Sequence, residues 1–105
     1  MQITLQFFDG CPNWETTAER LAAIESERED LTVIRQVIET QADAEASDFR
    51  GSPTVLIDGT PLFPVPDAPP GLACRVYLTP DGLAGSPSSD QLRAAISSFA
   101  RTAGS

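Results

Sequence analysis

Phe7-Phe8-Asp9-Gly10-Cys11-Pro12-Asn13-Trp14 and Phe49-Arg50-Gly51-Ser52-Pro53-Thr54-Val55-Leu56-Ile57-Asp58-Gly59 decide how this chain reads. The first segment closes an apolar run that starts at Ile3 and shows little alternation, as in a strand buried on both faces. It delivers Cys11 to the point where a helical pattern begins, and Pro12 suits the first helical position, where a missing N–H costs little. The second segment is a turn, an X-Pro step, an apolar strand and an Asp-Gly turn signal. A thiol attacks only as thiolate, and a helix N-terminus stabilises that anion through free N–H groups and its dipole. Cys11 is therefore the candidate nucleophile, with Asp9, Glu15 and the net charge of −8 opposing the helix in setting its acidity.

Outward from these segments the pattern is regular. Thr16 to Glu27 has helical spacing, with Ala18, Leu21, Ala22 and Ile24 on one stripe. Leu31 to Ile38 alternates and is β-branched, a second strand expected to run parallel to the first because a helix of crossover length separates them. Gln41 to Arg50 predicts a short helix ended by Gly51-Ser52-Pro53, and Thr54 to Ile57 a third strand. Pro61 to Gly71 holds Pro61, Pro64, Pro66, Pro69 and Pro70, which suits a loop. Cys74 to Leu78 reads as a fourth strand, Pro80-Asp81-Gly82 as a turn, and Ser88-Ser89-Asp90 as the cap of a last helix with Leu92, Ala95, Ile96 and Phe99 inward. The order β-α-β-α-β-β-α predicts an α/β domain with a mixed four-stranded sheet and helices on both faces. One domain is expected over 1–101, followed by a fraying tail at 102–105.

Composition removes several chemistries. The chain has 105 residues, 41% of them hydrophobic, and no histidine. Cys–His and Ser–His–Asp catalysis are excluded, and the commonest zinc ligand is missing; no metal ligand set is assigned. A net charge of −8, with no lysine, disfavours nucleic acid as a partner. The acidic runs at Glu25 to Asp30 and Glu39 to Asp48 read as solvated faces. No apolar run spans a bilayer, and Met1 to Leu5 lacks a basic n-region, so a cytoplasmic location with unbridged cysteines is expected and no membrane partner.

In this order and separation the two opening segments resemble the thioredoxin superfamily, over about Gln2 to Phe99. The resemblance implies the minimal thioredoxin-like fold, with an attacking cysteine at a strand-to-helix junction faced by a cis-proline. Ser52-Pro53 would be that loop, and Pro12, Trp14, Ser52 and Pro53 would bind substrate around Cys11. It implies a protein or low-molecular-weight thiol or disulfide as partner and no cofactor. The departure is Cys11-Pro12-Asn13-Trp14, with Trp14 where dithiol members carry their resolving cysteine. The implied activity is thus monothiol exchange at an accessible Cys11, resolved by an external thiol. Gly51 to Gly59 with Ala73-Cys74-Arg75-Val76-Tyr77 also resembles small bacterial proteins related to alkylmercury lyases. That implies, as an alternative, a soft-metal or organomercurial thiol protein using Cys11 and Cys74. A non-catalytic interaction module is the third reading.

Cys74 is a secondary thiol with two readings, a remote resolving cysteine or a small buried apolar residue. If it starts a strand antiparallel to the one at Pro53, it begins at the opposite end of the sheet. Four or five residues then separate it from Cys11 by roughly 15 Å, whereas a disulfide needs Cα atoms within about 7 Å. That geometry makes Cys74 buried and unpaired, unless it still belongs to the preceding loop and that loop folds back.

Overall fold

β1 (Gln2–Phe7) occupies the middle of the sheet, with one face fully covered and the other covered in part. Ile3, Leu5 and Phe7 are buried on one side, and Gln6 is buried on the other. The structure is a computed structural model that describes residues 1–65 and 67–103. β1 pairs in parallel with β2 (Thr32–Val37), Leu5 opposite Arg35, and antiparallel with β3 (Thr54–Ile57), Leu5 opposite Val55. β4 (Thr60–Pro61) follows β3 through Asp58-Gly59 and completes the order β2-β1-β3-β4. Both turn residues have positive φ, 48° and 85°, as a tight hairpin requires. The Asp58 carboxylate also accepts the Gln2 N–H at 2.8 Å.

α1 (Asn13–Glu27) and α3 (Ser89–Ala103) cover one face. Ala18, Leu21 and Ile24 from α1 and Leu92 and Ile96 from α3 join Ile3, Leu5, Val55 and Ile57 in the main core. Ala22 of the anticipated stripe is exposed, and Thr17 is buried in its stead. α3 begins with a reciprocal cap: Ser88 Oγ accepts the Gln91 N–H, and Gln91 Oε1 accepts the Ser88 N–H. α2 (Gln41–Ala46), capped by Thr40, is shorter than anticipated and packs Ala44 with Ile38, Phe49 and Phe8 in a second cluster. The domain is thus mixed α/β, with a four-stranded mixed sheet and, among the described residues, three helices. α3 runs on through Thr102 and Ala103, where a tail was anticipated; Gly104 and Ser105 lie outside the described residues.

The fourth strand is the principal correction. The sheet's fourth strand is Thr60–Pro61, an edge position that tolerates proline. The period-2 pattern at 74–78 does form a strand, β5 (Tyr77–Thr79), but it pairs with β6 (Gly82–Ala84) in a separate hairpin. Thr79 and Gly82 close the turn, Thr79 Oγ1 donating to the Gly82 carbonyl at 2.7 Å. Cys74 therefore lies in the loop before β5 and not in the sheet.

Candidate functional site

The loop from Phe63 onward returns to the β1–α1 junction, and Gly51 permits the return. Gly51 has φ +126°, and a Cβ there would stand 2.6 Å from Arg75 Cγ and 3.2 Å from the Ala73 carbonyl. Without that atom, residues 73–75 lie directly along Ser52. The Ser52 N–H donates to the Ala73 carbonyl at 2.7 Å, and the Arg75 N–H donates to the Ser52 carbonyl at 2.8 Å. Ser52 and Cys74 form one rung of parallel pairing. This rung sets Cys74 against Cys11, and the two are joined in a disulfide with Cα atoms 6.0 Å apart.

Three expectations are corrected here. The cysteines are bonded and not free. Cys11 is fully buried, at 0% exposure, whereas it was expected to be the accessible thiol. Cys74 is exposed, whereas it was expected to be buried and remote. The physical reason is the path of the proline-rich loop, which brings Cys74 back to the Cys11 end of the sheet.

The other anticipated site residues divide into two groups. Ser52 and Pro53 lie at the sulfurs. Their peptide bond is cis, and the Ser52 carbonyl oxygen is 3.7 Å from Cys11 Sγ. The Ser52 hydroxyl is buried with no hydrogen-bond partner. Pro12 directly precedes α1, with helical backbone angles, and is exposed. Trp14 stacks on Phe7 at 4.2 Å between centroids, with the Arg35 guanidinium 5.5 Å from its ring centroid. Its indole is thus engaged in packing. Asn13, which sequence reasoning passed over, donates from Nδ2 to Cys11 Sγ at 3.7 Å.

Arg75, Tyr77 and Phe63 fasten the Cys74 segment to the proline loop, a role missed because Tyr77 and Phe63 read as core and Arg75 is not singled out by its sequence neighbours. The Tyr77 hydroxyl donates to the Pro53 carbonyl at 2.5 Å. The Arg75 guanidinium lies 4.4 Å from the Tyr77 ring centroid and donates to the Phe63 carbonyl, while Phe63 meets Tyr77 edge-on at 5.6 Å. Burial, partly offset by the Arg75 charge, pushes the Tyr77 phenol up to about 12. The neutral phenol is therefore favoured in the fold. Its contribution to stability is complete below about pH 10, the ordinary tyrosine value, and is lost as pH rises through about 12. Tyr77 is the only tyrosine, so phenolate absorbance in an alkaline titration reports it alone. The expected midpoint is that of a buried phenol, with unfolding as the phenolate forms. An ordinary midpoint with the fold intact would refute the Pro53 contact.

Comparison with protein-family models and with curated proteins finds no match for the chain. Among the described residues, no helix is long and apolar enough to cross a membrane.

Proposed function

We propose that this chain is a thioredoxin-like thiol–disulfide exchange protein whose working couple is Cys11–Cys74. The observation that carries the reading is the asymmetry of the bonded pair, one sulfur-bearing residue exposed and the other fully buried at the start of a helix. The cis Ser52–Pro53 bond beside Cys11 and the sheet order β2-β1-β3-β4 support the family relationship. Cys74 supplies the second sulfur that Trp14 denies to the local motif, so exchange proceeds with two cysteines and not one.

The chemistry follows from which sulfur is reachable. A partner thiolate attacks Cys74 Sγ, forming a mixed disulfide there. The Sγ–Sγ bond breaks, and Cys11 leaves as thiolate with the bonding electron pair. Exchange is faster when the leaving thiolate is stabilised. Cys11 leaves at the N-terminal end of the 15-residue α1, beside the Asn13 amide. A second thiol, from the same partner or a small thiol, attacks the partner sulfur of the mixed disulfide. The partner departs oxidised by two electrons, both cysteines become reduced, and the two thiol protons pass to them through solvent. The steps reverse when a reduced protein meets a disulfide. Cytoplasmic location belongs to this proposal, since disulfides there are chiefly transient and catalytic. The test is which single-cysteine variant forms the mixed disulfide, Cys11→Ser or Cys74→Ser.

A further inference from the structure

Exposure alternates along the segment that carries the attacked sulfur. Cys74, Val76 and Leu78 are exposed, Arg75 is half-buried and Tyr77 is buried. Val76 is 65% exposed and Leu78 75%, and Leu78 stands opposite Leu83, itself 76% exposed, on the β5–β6 hairpin. Directly opposed residues share a face of a hairpin. These are the most exposed large apolar side chains among the described residues, and they flank Cys74 on its C-terminal side. On the N-terminal side Leu72 lines a groove of about 280 Å³ together with Phe8, Val37, Asp9 and Glu39. Asp9 and Glu39 are both exposed, so this end of the surface combines apolar walls with negative charge.

Resting on the exchange reading above, we infer that this surface selects the partner: an extended polypeptide whose cysteine is flanked by apolar residues on one side and a basic residue on the other. The apolar side chains would lie on Val76, Leu78 and Leu83, the thiol on Cys74, and the cation between Asp9 and Glu39. A small hydrophilic thiol would leave the apolar surface uncovered and gain none of that burial. A membrane is the poorer occupant, because a chain of net charge −8 is repelled by anionic lipid. A second copy would bring two acidic grooves into one dimer and would leave their charge unmatched.

The test compares rates of disulfide reduction in the native oxidised protein. The probes are the reduced peptide acetyl-Arg-Leu-Cys-Val-Leu-amide, the control acetyl-Ser-Ser-Cys-Ser-Ser-amide, and 2-mercaptoethanol, each rate corrected for the probe's own thiolate fraction. The apolar, basic peptide should react about tenfold faster than either control, the effect of burying one or two aliphatic side chains. In the Val76→Ser/Leu83→Ser double variant the ratio of its rate to that of 2-mercaptoethanol should fall by about threefold or more, Leu78, Asp9 and Glu39 retaining the remainder. Both positions are exposed, so the fold should tolerate the change. Equal corrected rates in the wild type would overturn the inference while leaving the exchange reading standing. A concentration-dependent dimer abolished by the same double variant would also overturn it, by showing that a second copy covers the surface. Failure of every thiol to open the disulfide would overturn the exchange reading and this inference with it.

Discussion

Reduction of the Cys11–Cys74 disulfide should lower the stability of the domain by about 4 kcal/mol, the upper end of the usual range for such bonds. The bond joins residues 63 apart in sequence, so it removes a large loop from the unfolded ensemble. The native contacts around it do not depend on the bond alone. Ser52 and Arg75 hold the rung by backbone hydrogen bonds, and Tyr77 ties the segment to Pro53. The reduced protein should therefore remain folded but melt at lower temperature, by some 15 °C or more for a domain of this size. Urea denaturation with and without a phosphine reductant gives the difference, and Cys74→Ser should match the reduced wild type. A loss below about 1 kcal/mol would mean that the bond hardly constrains the chain. The linkage matters for exchange: whatever the bond contributes to the fold, the fold contributes to keeping the bond closed.

Phe49→Ala should be the most damaging single substitution outside the disulfide, at about 3–5 kcal/mol. Phe49 is the bulkiest of the fully buried side chains and fills the cluster with Ile38, Ala44 and Phe8. Truncation leaves a cavity that the short helix α2 has few contacts to collapse. The backbone of Phe49 also matters, since its N–H donates to the Ala44 carbonyl at 2.8 Å and its carbonyl accepts the Gly71 N–H at 3.0 Å. The second bond tethers the chain three residues before Cys74, so the variant should also exchange its disulfide less selectively among thiols. Chemical denaturation measures the first effect. A cost below about 1.5 kcal/mol would show that the cluster is not a core.

The parts of the fold that were legible in the sequence are those set by local periodicity. The unbroken apolar run from Ile3, the helical stripe of Leu21 and Ile24, and the Ser88-Ser89-Asp90 cap each specify an element through neighbouring residues. Asp58-Gly59 was legible for the same reason, since a positive φ depends on residue type, whereas the cis Ser52–Pro53 bond was expected from the family resemblance alone. Cys74 was not legible. Its alternating surroundings do predict a strand, but periodicity does not say which partner a strand takes, and the turn at Pro80 to Gly82 supplied a nearer one than the sheet. The path of a loop with several prolines is decided by contacts such as Tyr77 on Pro53 and residues 73–75 over Gly51, which join residues far apart in sequence. Thr60–Pro61 escaped notice because two residues, one a proline, carry no periodicity. The pairing did leave a trace: the chain has two cysteines, and one of the two weighed placements of Cys74 allowed them to meet.

The proposed exchange runs through Cys74 and not Cys11. Cys11→Ser and Cys74→Ser, each folded and reduced, should be mixed with glutathione disulfide under native conditions and weighed over time by mass spectrometry. Cys11→Ser, which keeps Cys74, should gain one glutathionyl group at least about tenfold faster than Cys74→Ser, because reactivity follows access as well as thiolate fraction. Equal rates, or faster modification of the Cys11 retained in Cys74→Ser, would contradict it.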